Sequence, residues 1–146
     1  MKKRVLIVDD EQEFAQALSE RLTIRDYDVT AVHSGKEAIE MVQGYNYDVV
    51  ILDVAMPGMD GVEALNEIKK IKPLTEVIML TGHGTVETAI NGMKLGAYDY
   101  LKKPCETDEL ITKIDKAYER KREHEERIRE ARVREIVASP RAALKE

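Results

Sequence analysis

The chain has 146 residues, 43% of them apolar, with one Phe and no Trp, which is enough for one domain with an aliphatic core and some excess length. A net charge of −5 makes it a poor general binder of nucleic acid, and one cysteine, Cys105, excludes an internal disulfide and fits a reducing compartment. No apolar run reaches transmembrane length, and the few apolar residues after Met1-Lys2-Lys3-Arg4 are too short for a signal peptide, so the expected location is cytoplasmic, with no membrane partner.

Val5–Val8 is an apolar run that stops at Asp9 and Asp10. A helical pattern follows, with Phe14, Ala17, Leu18 and Leu22 on one face and charges opposite. Asp28–Val32 reads as a short strand. Ser34 is then placed as a helix N-cap, with Glu37 completing a capping box, and the helix it opens buries Ala38, Ile39 and Val42 before Gly44 ends it. Val49–Leu52 is a second apolar run and stops at Asp53. Met56-Pro57-Gly58-Met59-Asp60-Gly61 is a turn-rich loop, and the helix after it, through Ala64, Leu65, Ile68 and Ile71, is terminated by Pro73. Val77–Leu80 ends at Thr81, and a flexible Gly82-His83-Gly84 precedes a helix through Val86, Ala89, Ile90 and Met93. Gly96 turns the chain into a last run around Tyr98–Leu101, which ends at Lys102-Lys103-Pro104. Buried apolar runs alternating with helices at these spacings predict five parallel strands in a right-handed, doubly wound α/β fold.

The body is complete near residue 118. From Thr107 the helical pattern continues without Gly or Pro to Ser139-Pro140, roughly thirty residues against an average helix of about a dozen. Its first part is amphipathic through Leu110, Ile111, Ile114, Ala117 and Tyr118. Its second part has sparse apolar positions, Ile128, Ala131, Val133, Ile136 and Val137, among charges that nearly balance: seven Lys/Arg and six Glu from Glu119 to Glu135. Glu123/Arg127, Glu125/Arg129 and Glu130/Arg134 are i,i+4 pairs in the favourable order, each worth about 0.2–0.5 kcal/mol. No apolar a/d repeat persists for three heptads, so a solvated extension or a connector fits better than an autonomous coiled coil.

In an open parallel sheet, functional groups gather beyond the carboxyl ends of the strands. Asp9, Asp10, Asp53, Thr81 and Lys103 would therefore meet on one rim. Three clustered carboxylates are costly unless a cation is present or one is protonated, and a hard cation with oxygen ligands, Mg2+, is the expected partner. Lys103 precedes Pro104, and a cis bond there would fix where the lysine points, toward a phosphoryl oxygen.

Asp9-Asp10, Asp53 within Leu-Asp-Val-Ala-Met-Pro-Gly-Met-Asp-Gly, Thr81 and Lys103-Pro104 together resemble the receiver domain of two-component response regulators, over roughly residues 3–120. The resemblance implies a flavodoxin-like sheet in the order 2-1-3-4-5, a receiver over 1–120 and a helical extension over 121–146. It implies that Asp53 is the phosphoacceptor, with a sensor histidine kinase or phosphotransfer protein as donor. Asp10 and Asp53 would hold Mg2+, Asp9 largely through water, and the Ala55 carbonyl would complete the ligands. Thr81 would follow the phosphoryl group, Lys103 would bridge to it, and Tyr100 would be the switch aromatic. The switch would alter the face of the fourth helix, fifth strand and fifth helix, through which a phosphorylation-dependent homodimer involving the C-terminal helix is expected. Such a chain is a signalling domain and not an enzyme beyond its own phosphorylation and dephosphorylation.

Ala55 offers no polar side chain to orient an attacking water. His83 stands where one could act, beside the reading of a solvated loop histidine, and Cys105 replaces a large apolar residue and reads as a small buried hydrophobe. A flavodoxin-like nucleotide or flavin binder would need a phosphate loop where the chain reads Asp9-Asp10-Glu11-Gln12-Glu13. An aspartyl phosphatase would need a second acid two residues after its nucleophile in a pattern that Asp9-Asp10-Glu11 does not match. A phosphorylation-independent scaffold would be favoured had Asp53 been lost. After residue 120 no helix-turn-helix, ATPase loop or metal motif follows, so direct nucleic-acid binding is not expected. Gly82-His83-Gly84-Thr85 and Gly96-Ala97-Tyr98-Asp99-Tyr100 resemble receivers of σ54-dependent regulators, which leaves open both a single-domain regulator and a fragment whose effector lies beyond Glu146.

Overall fold

The computed structural model describes residues 2–55, 61–82 and 86–138. The elements run β1 (Arg4–Val8), α1 (Gln12–Ile24), β2 (Asp28–Val32), α2 (Gly35–Gly44), β3 (Val49–Asp53), α3 (Gly61–Ile71), β4 (Glu76–Thr81), α4 (Val86–Lys94), β5 (Asp99–Lys102) and α5 (Thr107–Ala138). The strands form one parallel sheet in the order β2-β1-β3-β4-β5. Every residue of β3 and β4 is buried, as strands covered on both faces require.

The two-residue period of the strands sorts their side chains into two cores. Leu6, Val8, Val50, Leu52, Val77 and Met79 face α2 and α3, meeting Ala38, Val42, Ala64, Leu65 and Ile68. Val5, Ile7, Val49, Ile51, Ile78 and Leu80 face the other way, onto Ala15, Leu18 and Leu22 of α1 and Leu110, Ile114 and Ala117 of α5. In α1 the buried alanine is Ala15, whereas Ala17, expected on that face, is exposed. Ser34 caps α2 as expected: its Oγ accepts from the Glu37 N–H at 3.1 Å and donates to the Glu37 carboxylate at 3.1 Å.

Helix α4 buries only part of its apolar pattern. Ala89 is buried, but Ile90 and Met93 are 48% and 41% exposed. The reason lies in Gly92, where an added Cβ would stand 2.2 Å from Met79 Sδ. The helix therefore rests its Ala89 and Gly92 side on β4 and turns Ile90 and Met93 outward beside Tyr100, itself 47% exposed. Gly96, at φ +105°, makes the turn into β5.

Helix α5 runs unbroken for 32 residues. Each fully buried Leu or Ile in its first half contributes about 1.5–3 kcal/mol, more than the median surface ion pair at about 0–1 kcal/mol. Leu110 and Ile114 therefore decide that the helix docks, and the polar contacts settle how it leaves the body. Lys121 meets Asp48 at 3.1 Å, Arg120 meets the buried Glu76 at 2.7 Å, and Asp115 takes Tyr27 at 2.5 Å and Lys3 at 3.0 Å. Every described residue from Glu125 onward is exposed, Ile128, Val133, Ile136 and Val137 included. Along this stretch Glu125 pairs with Lys121, and Arg129 pairs with Glu126 in place of the expected Glu125. Among the described residues no helix is long and apolar enough to cross a membrane.

Candidate functional site

Strand register assembles the site. Val8 lies beside Leu52, so the next residues, Asp9 and Asp53, come side by side at the rim. Asp53 lies beside Leu80 and Thr81 beside Lys102, which completes the row across the carboxyl ends of β1, β3, β4 and β5. Asp9 and Asp53 are buried and Asp10 is exposed, and carboxylate oxygens of all three lie within 4.8 Å of one another.

Backbone hydrogen bonds hold the two buried carboxylates. The Glu11 N–H donates to Asp9 Oδ1 at 2.9 Å, and the Ala55 N–H donates to Asp53 Oδ1 at 3.1 Å. The Asp9 backbone is itself tied to β2 through the Val32 carbonyl at 3.1 Å. Burial pushes the Asp53 carboxyl above the usual carboxylate range; the Ala55 hydrogen bond opposes that, Asp9 adds to it, Lys103 opposes it, and Asp10 adds to it. Positive charge placed nearby would offset this crowding of carboxylates.

Lys103 supplies one positive charge. The Lys103–Pro104 peptide bond is cis, as expected. The Lys103 N–H donates to the Thr81 carbonyl at 2.9 Å, and the side chain is only 10% exposed. Its Nζ lies 2.8 Å from Asp9 Oδ2, 3.2 Å from Glu11 Oε1 and 3.7 Å from Asp53 Oδ2, with the Phe14 ring centroid 4.3 Å away. Burial works against the charged lysine, but Asp9, Asp53 and Glu11 outweigh it and hold the ammonium above the ordinary lysine range. The sequence reading has Phe14 only on the apolar face of α1 and Glu11 only as a residue unsuited to a phosphate loop, neither of them as a neighbour of Lys103. The available signal was a Glu at the N-cap of α1, where Ser, Thr, Asp or Asn is favoured.

One charge among three carboxylates leaves room for a cation. Asp9 Oδ2 is buried and accepts no well-aligned hydrogen bond even though the ammonium is 2.8 Å away. An oxygen in that condition, beside Asp10 and Asp53, fits a hard divalent ion. Millimolar Mg2+ is therefore expected to raise the melting temperature, because an ion that binds only the folded chain stabilises it. Asp10 is exposed, so Asp10→Ala disturbs no packing. A thermal melt of that variant with and without Mg2+ should lose the increment, and an unchanged increment would place the ion elsewhere.

The other expected residues are less tightly gathered. Thr81 is buried, and its hydroxyl donates a long hydrogen bond, 3.5 Å, to the Leu101 carbonyl, toward β5. Tyr100 lies outside the rim, where its ring, Ala89, Ile90, Met93 and Lys94 line a shallow apolar cavity of about 350 Å³. Cys105 is half-buried against the core, and burial pushes its thiol up. The turn-rich loop 56–60, His83 and Ser139-Pro140 lie outside the described residues.

Comparison with known proteins agrees with this geometry. Residues 5–115 match the family described as the response regulator receiver domain. The transcriptional regulatory protein ZraR of Escherichia coli is 39% identical over 113 residues, which cover 77% of this chain and 26% of ZraR. The transcriptional regulatory protein YkoG of Bacillus subtilis is 37% identical over 113 residues, covering 77% of this chain and 50% of YkoG. A response regulator receiver domain protein (CheY-like) from Methanospirillum hungatei superposes with a TM-score of 0.82 at 26% identity, covering 85% of this chain and 99% of that one. The chain spans half or less of the length of these curated relatives.

Proposed function

Since this chain belongs to the response regulator receiver domain family, we propose that its Asp53 accepts a phosphoryl group from a sensor histidine kinase or a phosphotransfer protein in the cytoplasm, and that the resulting acyl phosphate alters a protein-binding face. The observation that carries this reading is the buried rim in which Asp53 and Asp9 share the Lys103 ammonium at 3.7 and 2.8 Å.

Phosphoryl transfer asks the protein mainly for in-line positioning and for neutralisation of charge on the transferring oxygens. Asp10, Asp9 and Asp53, with the Ala55 carbonyl, would hold Mg2+, which when bound supplies positive charge to those oxygens. An Asp53 carboxylate oxygen forms the new bond to phosphorus, while the donor's bond to phosphorus breaks and its electron pair leaves with the donor. The Ala55 N–H fixes the rotation of the Asp53 carboxylate from one side. Lys103, nearly buried and held in its charged form, stands ready on the other.

An acyl phosphate on Asp53 draws the Thr81 hydroxyl away from its long hydrogen bond to Leu101, and the space released beside β5 admits Tyr100. The exposed Tyr100, Ile90 and Met93 then change their arrangement, and with them the α4–β5–α5 face offered to a second copy or to an output partner. The root of α5 adjoins that face, so the long helix would join a dimer formed there.

Incubation with acetyl phosphate and Mg2+, followed by hydroxylamine, tests the acceptor. Hydroxylamine converts an acyl phosphate to a stable hydroxamate, which peptide mapping should locate at Asp53. A hydroxamate on another acid, or none, would refute the reading.

A further inference from the structure

We propose that Glu11 is a positioning residue that restrains Lys103 in its resting place and thereby slows phosphorylation of Asp53. The inference rests on the reading of Asp53 as the phosphoacceptor.

Glu11 occupies the N-cap of α1, yet its side chain makes no capping hydrogen bond. Its carboxylate instead reaches 92 residues along the chain to the Lys103 ammonium, at 3.2 Å. A helix start gains little from Glu compared with Ser, Asp or Asn, so the residue contributes nothing to the helix that those would not exceed. Among the described residues, its side chain meets the cation of the site.

The surroundings of that cation decide the direction of the effect. An ammonium has three N–H donors. Asp9 at 2.8 Å and Glu11 at 3.2 Å hold it at short range, and the Phe14 ring closes another side at 4.3 Å. Asp53 Oδ2, at 3.7 Å, is beyond ordinary hydrogen-bond distance. Lys103 thus rests nearer Asp9 and Glu11 than the residue that takes the phosphoryl group. To meet a phosphoryl oxygen arriving at Asp53, the ammonium must turn a donor toward it, against the attraction of Glu11. Glu11 is 67% exposed, so this attraction is a weak one set in water, which suits a restraint that yields when a phosphoryl group competes.

Glu11→Gln removes the charge, preserves the length and disturbs no buried contact. With wild-type protein as reference, its phosphorylation by acetyl phosphate, followed by intact mass at several donor concentrations, should have a second-order rate constant about two- to fivefold higher, the scale of one exposed ion pair. A carboxylate near the site also repels an anionic donor through space, and the Lys103→Ala background separates the two causes. If Glu11 acts through Lys103, Glu11→Gln has no effect in that background; if it acts only on the donor, the acceleration persists there unchanged. An unchanged rate in the Lys103 background together with acceleration in the wild-type background supports the proposal. No acceleration in the wild-type background, or equal acceleration in both, overturns it. Failure of the wild type itself to take up phosphate would instead refute the Asp53 reading, so the two failures are distinct. Circular dichroism of Glu11→Gln should match the wild type, since the side chain caps nothing.

Discussion

Lys103→Ala should lower the rate of Asp53 phosphorylation by acetyl phosphate by about a hundredfold or more, the usual cost of removing one preorganised charge from the oxygens of a transition state. The lysine is nearly buried between Asp9 and Asp53, so no solvent charge replaces it. The same change leaves two buried carboxylates facing one another without their cation. Removal of one partner from a buried pair typically costs about 3–5 kcal/mol. Because the Lys103 side chain is 10% exposed and water enters the gap, the lower end of that range is expected for the metal-free protein. Mg2+ should recover much of this loss, since the ion then meets three acids without a competing ammonium. Melts with and without Mg2+ and a time course of intact mass measure both effects. A phosphorylation rate within threefold of wild type would remove Lys103 from the mechanism.

Gly61→Ala should be among the most damaging single methyl additions in the chain. An added Cβ there would lie 2.3 Å from the Val54 Cα and 2.8 Å from the Asp53 carbonyl oxygen, both backbone atoms with no side-chain freedom to give way. The Gly61 N–H also donates to the Val54 carbonyl at 3.2 Å, so α3 begins directly against the end of β3. Overpacking costs about 1–3 kcal/mol where neighbours can adjust, and this contact belongs at or above the upper limit. For a domain of this size that amounts to about 6–12 °C in melting temperature. Gly92→Ala gives a useful contrast. Its Cβ would clash with the Sδ and Cε of Met79, at 2.2 and 2.3 Å, and touch Leu65 Cδ2 at an ordinary 3.7 Å, and a thioether can swing aside. Its cost should be smaller, about 1–2 kcal/mol. Gly61→Ala should in addition weaken stabilisation by Mg2+, because the displaced backbone carries Asp53. A shift of less than about 2 °C would show that the β3–α3 junction is softer than its packing implies.

Strand-end chemistry was legible in the chain because the apolar runs are short, uninterrupted and stopped by charged or hydroxyl residues. Val5–Val8 before Asp9, Val49–Leu52 before Asp53 and Val77–Leu80 before Thr81 each needed only the rule that parallel strands present their carboxyl ends to one rim. The unbroken α5 was equally legible, since nothing between Thr107 and Ala138 can stop a helix. The face of α4 was not. Periodicity marks Ala89, Ile90 and Met93 as a stripe, but a glycine can define the contact side by letting the backbone come close, and hydrophobic pattern does not register it. Ala15 and Ala17 were exchanged for a similar reason: alanine is too small for its position in a helical pattern to discriminate faces. The partnership of Glu11 with Lys103 joins residues far apart in sequence, and only the assembled rim brings them within reach. The long Thr81–Leu101 hydrogen bond depends on a side-chain rotation that no spacing encodes.

Asp53, alone among the acids of the rim, should take the phosphoryl group, and intact mass spectrometry reads this without intermediaries. Wild type and Asp53→Asn are incubated side by side with acetyl phosphate and Mg2+. Wild type should gain the mass of one phosphoryl group and lose it slowly after the donor is removed. Asp53→Asn, which keeps the size of the side chain and its place beside the Ala55 N–H, should gain none. The same adduct appearing on Asp53→Asn would assign the phosphoryl group to another residue and remove Asp53 as the acceptor.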